Sequence, residues 1–231
     1  MKGQLAFDLP IRPALSREDF FISPANALAL ASLDGWRDWP RGKMVLVGPR
    51  GSGKTHLAHI WAAQAEARLI PAEALARADL PALAADGAVA VEDAERLGGD
   101  RAAEEALFHL HNLMLERAGA LLITAAGPPR DWGLGLADLK SRMQAASVTR
   151  LEAPDDALLS AMLVKLFTDR QIAVPGMLVP WLVARMDRSC EAARALVRGA
   201  GRALAGRAAA DLAPDGRRTS RIDRHRLRSV A

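Results

Sequence analysis

Apolar positions along the chain fall into two kinds of run. Met44 to Val47 (opened by Lys43), Ala88 to Val91 and Ala120 to Thr124 are short, nearly continuous apolar stretches. Runs without alternation mark strands buried on both faces, as in a parallel sheet. Arg68 to Ile70, closed by Pro71, and Ser147 to Leu151 are shorter strand candidates. Between them the spacing turns helical: Ala27 to Leu33, Lys54 to Ala67 with Leu57, Ile60, Trp61 and Ala65 on one face, Glu104 to Arg117 with Leu107, Leu110 and Met114 recurring, and Ala137 to Met143. Residues 72–85 are alanine-rich and fit either pattern. After Pro154 the strand runs stop, and helical patterns follow over Asp155 to Asp169, Gly176 to Asp187 and Ser189 to Arg207. Strands alternating with helices predict a parallel α/β sheet flanked by helices, and the helices beyond it a small α-helical lid. The expected divisions are an extended leader over 1–16, the α/β unit over 17–152, the lid over 153–215 and a C-terminal tail over 216–231.

The junction of the first clear strand and helix carries the chemistry. Gly48, Gly53, Lys54 and Thr55 in Gly48-Pro49-Arg50-Gly51-Ser52-Gly53-Lys54-Thr55 fit the phosphate-loop pattern Gly-x-x-x-x-Gly-Lys-[Ser/Thr]. A glycine-rich loop turns its N–H groups around a phosphate without a Cβ in the way, and the following helix adds its positive end. Lys54 then reaches the β- and γ-phosphates, and the Thr55 hydroxyl is placed to hold Mg²⁺ on them. The second apolar strand ends on Glu92-Asp93. In phosphate-loop proteins a carboxylate there orients Mg²⁺, and its neighbour positions the attacking water. Thr124 ends the third strand and would point toward the nucleotide if that strand lies beside the first. Phe20 to Asn26, just upstream of the loop, is placed to line the base or to form a core strand.

Composition narrows the setting. Half of the 231 residues are hydrophobic, enough for a sizeable core. No signal peptide and no apolar run long enough to span a bilayer is visible, and the single cysteine, Cys190, allows no internal disulfide. A cytoplasmic location without membrane contact is the expectation, with Cys190 structural. The net charge of +4 would hint at nucleic acid. However, residues 216–231 hold six arginines and one aspartate, or +5, which leaves −1 for the rest. A basic tail is not a basic face, and a solvated end is its plainer reading. His109 and His111, two apart on a helix, face different sides and are read as packing or surface residues.

The leader, broken by Pro10 and Pro13, contains Gln4-Leu5-Ala6-Phe7-Asp8-Leu9. A glutamine followed by spaced apolar side chains suits an apolar pocket on a partner, with the amide fixing orientation.

Taken together, these motifs resemble the AAA+ ATPases. Phe20-Phe21-Ile22-Ser23-Pro24-Ala25-Asn26, the loop from Gly48 to Thr55, Leu122-Ile123-Thr124 with Pro128-Pro129, and Asp138-Leu139-Lys140-Ser141-Arg142-Met143 resemble the ATPase core of the replication initiator DnaA over roughly residues 17–208. DnaA carries an origin-reading helix-turn-helix module after its lid, and none is expected here. With the leader motif, which looks like the segment that bacterial proteins insert into the sliding clamp, the chain is similar to the Hda-type regulators of DnaA. The resemblance implies ATP or ADP with Mg²⁺ as cofactors. It implies Phe21, Ile22, Asn26, Pro49, Arg50, Gly51, Ser52, His56 and the lid residue Arg194 around the nucleotide, and Thr55, Glu92 and Asp93 at the metal. Gln4, Leu5, Phe7 and Leu9 would bind the clamp, the β subunit of DNA polymerase III, bringing the chain to DNA indirectly. Arg142 would act in trans, completing the site of ATP bound by DnaA and promoting its hydrolysis. Glu92 stands where DnaA-like cores place Asp, and Ala126 where DnaA carries a polar sensor; both imply a chain that holds nucleotide better than it hydrolyses it. Arg194 lies two or three positions from the expected lid arginine. A helicase loader of the DnaC type, sharing the core, and a small-molecule kinase are the alternatives. AAA+ chains often assemble head to tail, so a homo-oligomer is a further expectation.

Overall fold

The computed structural model describes residues 15–211, the side chains of 202–211 excepted. The leader residues Gln4, Leu5, Phe7 and Leu9 and the basic tail lie outside the described residues.

Five parallel strands form the centre: β1 (Lys43–Val47), β2 (Arg68–Pro71), β3 (Ala88–Glu92), β4 (Ala120–Ala125) and β5 (Ser147–Arg150), in the order β2-β3-β4-β1-β5. β1 lies between β4 (Leu46↔Thr124) and β5 (Val45↔Val148), so its C-terminal end has strand ends on both sides. Every residue of β1 and β4 is buried, as their unbroken apolar runs require. α1 (Ala27–Asp34) precedes β1, and the crossover helices are α2 (Lys54–Ala65), α3 (Leu80–Ala85), α4 (Arg101–Glu116) and α5 (Ala137–Gln144). They cover both faces and give two apolar layers, one around Leu107, Leu110, Ile123 and Leu139, the other around Leu33, Leu46, Leu57 and Trp61. In the second layer Trp61 of α2 stacks on Trp39 (centroids 5.4 Å apart, planes at 19°) and meets Trp36 edge-on (6.3 Å, 89°).

Several helix starts are set by side-chain caps. Asp100 accepts the N–H of Ala103 and opens α4 one turn earlier than the apolar spacing predicts. The ambiguous stretch 72–85 resolves into a 3₁₀ segment (Ala72–Arg77) and α3, capped by Asp79 through the N–H of Ala82. Phe20 to Asn26 forms no strand. Asn26 accepts the N–H of Ser23 and donates to the carbonyl of Phe21, so its amide holds this segment as a turn leading into α1.

Beyond the sheet, α6 (Asp156–Thr168), α7 (Leu178–Val183) and α8 (Cys190–Asp211) pack around Leu159, Leu163, Phe167, Val183 and Val197. α7 is six residues long, half of the expected Gly176 to Asp187. Lys165 of α6 pairs with Asp19 at 3.0 Å, tying the lid to the segment before α1. Among the described residues no helix is long and apolar enough to cross a membrane.

Candidate functional site

β1 delivers Gly48 to the C-terminal edge of the sheet, and the chain turns through Gly53 into α2. Gly51 (φ 72°) and Gly53 (φ 110°) occupy backbone conformations that L side chains rarely adopt. A Cβ on Gly48 would collide with the carbonyl of Leu151, and one on Gly51 with the hydroxyl of Ser189. Lys54 is buried, and its Nζ donates to the carbonyls of Gly48 (2.8 Å) and Pro49 (3.1 Å) inside the loop. Burial pushes its pKa down, while the carboxylates of Glu95 and Asp93 pull it back up. The ammonium thus sits within the loop and close to the acidic strand end. Pro49 and Arg50, at the loop's crest, are exposed.

Glu92 closes β3, and its Oε1 is buried without a hydrogen-bond partner. Burial raises its pKa, and the Thr55 hydroxyl beside it pulls the other way. Asp93 adopts a left-handed conformation (φ 57°), directing its carboxylate toward Arg96 at 3.8 Å. Its N–H donates to Thr124 Oγ1 (3.2 Å), so the strand-end threonine of β4 braces the acidic pair. Glu92 is therefore the carboxylate beside Thr55, while the Asp93 carboxylate approaches Arg96.

A small cleft runs along the N-terminal end of α2, lined by Phe20, Phe21, Asn26, His56, Met162 and Arg194, with Ser52 and Gly53 at its base. Of the residues expected around the base, the side chain of Ile22 does not line this cleft and is 63% exposed. The turn held by Asn26 points it to solvent, and Phe20 faces inward in its place, edge-on to His56 at 5.1 Å. His56 is buried and its Nε2 lies 2.9 Å from the carbonyl of Ser16. Burial pushes its pKa down and favours the neutral ring.

The lid meets the phosphate loop directly. Ser189 caps α8, accepting the N–H groups of Glu191 and Ala192. The N–H of Cys190 donates to the carbonyl of Gly51 at 2.8 Å. Burial raises the Cys190 pKa, which keeps it a thiol and suits a packing role. One turn further, Arg194 enters the cleft.

Arg142 lies elsewhere. α5 runs back from the loop edge of the sheet, and the Arg142 carbonyl accepts from Nζ of Lys43, the first residue of β1, at 2.9 Å. The phosphate loop follows the last residue of that strand, about 13 Å away at the usual rise of about 3.3 Å per residue. The Arg142 side chain is exposed, its guanidinium 5.9 Å from the Phe108 ring. His111, read from sequence as packing or surface, is buried with Nε2 3.0 Å from Lys43 Nζ, whereas His109 is exposed.

Three contributors escaped the sequence reading. Glu95, in the 3₁₀ turn after β3, has a buried Oε2 without a partner and acts on Lys54. Met162 lines the cleft, and Ser189 packs on Gly51. A Ser-Cys-Glu step before a helical pattern is a cap signal that could have placed Ser189, but its contact with Gly51 depends on folding. The residues fit a nucleotide polyphosphate with Mg²⁺. Ser52 Oγ and Glu92 Oε1 are buried polar atoms without partners, the loop has no room for Cβ atoms at Gly48 and Gly51, and a lysine, a threonine and a carboxylate converge.

No family model matches the chain. Among solved structures, it is similar to the replication initiator DnaA bound to AMPPCP and single-stranded DNA, with 16% identity and a TM-score of 0.68 over 87% of this chain and 70% of that one. Domain III of the Thermotoga maritima replication initiation protein DnaA gives 18% identity and a TM-score of 0.68, covering 88% and 93%. The FIGL-1 AAA domain in complex with ADP gives 16% identity and a TM-score of 0.57, covering 81% and 71%. At these identities the likeness is one of fold, and that fold, a five-stranded parallel sheet flanked by helices, is the AAA+ phosphate-loop fold in a DnaA-like form.

Proposed function

We propose that the chain is an AAA+ regulator of replication initiation of the Hda type, which binds nucleotide in its own cleft and uses Arg142 to promote hydrolysis of ATP bound to DnaA. The observation that carries this reading is the distance between the two. Arg142 is exposed at the edge of the sheet opposite the chain's own phosphate loop, so the nucleotide it can serve belongs to another molecule. The similarity of this chain to DnaA structures supports a partner of related fold, in keeping with head-to-tail contact between AAA+ units.

In this reading the backbone from Gly48 to Lys54 and the Lys54 ammonium hold the phosphates, Thr55 and Glu92 would hold Mg²⁺, and Phe21, Asn26, His56 and Arg194 bound the base side. Mg²⁺ there would neutralise phosphate charge. Glu92 is one methylene longer than the usual aspartate, and Asp93 is turned toward Arg96. Both favour retention of nucleotide, ADP or ATP, over turnover. Gln4, Leu5, Phe7 and Leu9 would engage the sliding clamp and so bring the chain to DNA.

The test is the rate of hydrolysis of ATP bound to DnaA, with DNA-loaded clamp, with and without this chain. Acceleration is expected, with loss when Gln4 and Leu5 are replaced by alanine. Arg142→Ala should lower the stimulated rate about 10³- to 10⁵-fold while the chain stays folded and binds the clamp. Unchanged stimulation by R142A would remove Arg142 from the mechanism. No acceleration by the native chain would favour a helicase loader.

A further inference from the structure

The end of α5 contains a contact that the trans mechanism does not by itself require. The N–H of Ala145 donates to the carbonyl of Ser141, and that of Ala146 to the carbonyl of Met143. The Arg142 carbonyl between them, which a continuing helix would satisfy from residue 146, is left over at the helix terminus. Lys43 Nζ takes it at 2.9 Å. The same ammonium lies 3.0 Å from His111 Nε2 on α4, and His111 Nδ1 is 3.3 Å from Asn112 Oδ1. With Nδ1–H donating to the Asn112 oxygen, Nε2 is free to accept from Lys43. Lys43 thereby joins β1, α4 and α5 at one point. Phe108, one turn before His111 on α4, lies beneath the Arg142 guanidinium. A lysine at the start of a buried strand is costly to desolvate, and its pKa is lowered to about 8 by that burial and by Arg142 and Arg41 nearby. Apolar residues occupy the rest of β1.

We propose that Lys43, backed by His111, is the positioning residue for Arg142, fixing the backbone of the last turn of α5 so that the guanidinium is presented in one place. This rests on the reading of Arg142 as the residue that acts on DnaA-bound ATP. Lys43 touches neither nucleotide, and its effect passes through the Arg142 carbonyl.

The experiment uses the full chain with DNA-loaded clamp and DnaA carrying ATP, comparing native protein with K43M, K43R, R142A and the double variant K43M/R142A. K43M keeps the length of the side chain and removes its donors. A displacement of the guanidinium by the order of 1 Å should lower the maximal stimulated rate about 10²-fold. The concentration of chain giving half-maximal stimulation, and its own nucleotide affinity, should be unchanged. K43R should restore much of the rate, and the double variant should be no slower than R142A alone. H111F, which removes the second anchor, gives a separate route should K43M fold poorly, and should lower the same maximal rate. Full stimulation by folded K43M or H111F, with R142A inactive, would overturn the positioning role and leave Arg142 standing. A K43M defect that persists additively in the R142A background would also overturn it. Full stimulation by both K43M and R142A would remove the assignment of Arg142 itself.

Discussion

The two edges of the sheet handle buried polar groups in opposite ways. At the C-terminal edge, Ser52 Oγ, Glu92 Oε1 and Glu95 Oε2 are buried with no partner, and the Lys54 ammonium is turned back onto the carbonyls of its own loop. At the N-terminal edge, the equally buried Lys43 has a specific acceptor on each of two helices. An unpaired buried polar group costs about 1–3 kcal/mol. The first edge thus keeps buried polar groups open to a polar or charged ligand, and the second has its buried charge already paired.

The comparison is sharpest for the arginine. R142A should cost about 10³- to 10⁵-fold in stimulated hydrolysis on the partner, about 4–7 kcal/mol, and leave this chain's own nucleotide affinity within a factor of two. Loss of its own nucleotide binding would show that the two edges are not separate. Lys54→Ala is the converse. It should weaken nucleotide binding by titration about 100-fold, about 2.7 kcal/mol, with little change in thermal unfolding. An unaltered affinity would mean that Lys54 keeps its contacts with Gly48 and Pro49 when nucleotide binds.

Glu104 tests the scaffold between the edges. Its carboxylate, only 1% exposed, accepts the N–H groups of Gly99, Gly135 and Leu136 and pins two loops to α4. Burial pushes its pKa up, but the three backbone donors outweigh it and hold the pKa below the usual 4.5. The unfolded chain therefore takes up this proton first as pH falls. The stabilisation is full above about pH 4.5 and disappears as the pH drops through the folded-state value. Glu104→Gln should cost about 2–3 kcal/mol at neutral pH by denaturant unfolding and flatten the loss of stability in acid. An equally steep acid transition in the variant would assign it to other carboxylates. The smallest effect is expected at Gly51, where alanine must adopt φ near 72° and displace Ser189. G51A should destabilise the fold by about 1–3 kcal/mol and loosen the contact between the loop and α8, read as faster amide exchange at Cys190.

How much of this was legible in the sequence follows from what kind of contact made each part. The loop, β1 and α2 are local, so Gly48 to Thr55 identifies itself, and the unbroken runs of β3 and β4 announce burial on both faces. Residues 72–85 did not, because alanine fits either face of either element. Their division was decided by Pro71, Asp79 and the helix packed against them. The expected helix over Gly176 to Asp187 is shorter, Leu178–Val183, because Gly176 and Met177 form the turn before it and beyond Val183 the N–H of Arg185 turns back to the carbonyl of Leu182. Ile22 and Phe20 exchanged roles because Asn26 bends the backbone between them, and nothing in the run Phe-Phe-Ile says which side chain will face in. The jobs of Lys43, Glu95 and Glu104 were out of reach. Each depends on groups brought near by the fold, 99 residues away in the case of Lys43 and the Arg142 carbonyl. A charged residue in an apolar segment signals that a partner exists without saying which.

The indole cluster on α2 gives the protein a built-in optical readout. Trp61 stands two turns along the helix that begins at Lys54, stacked on Trp39 and met edge-on by Trp36. Stacked chromophores at this separation couple their electronic transitions, so the pair should give a signed near-ultraviolet circular dichroism signal set by the mutual angle of the rings. A tilt of α2 on filling of the phosphate loop would alter that angle, and the ellipticity of the unlabelled chain would then follow occupancy of the loop.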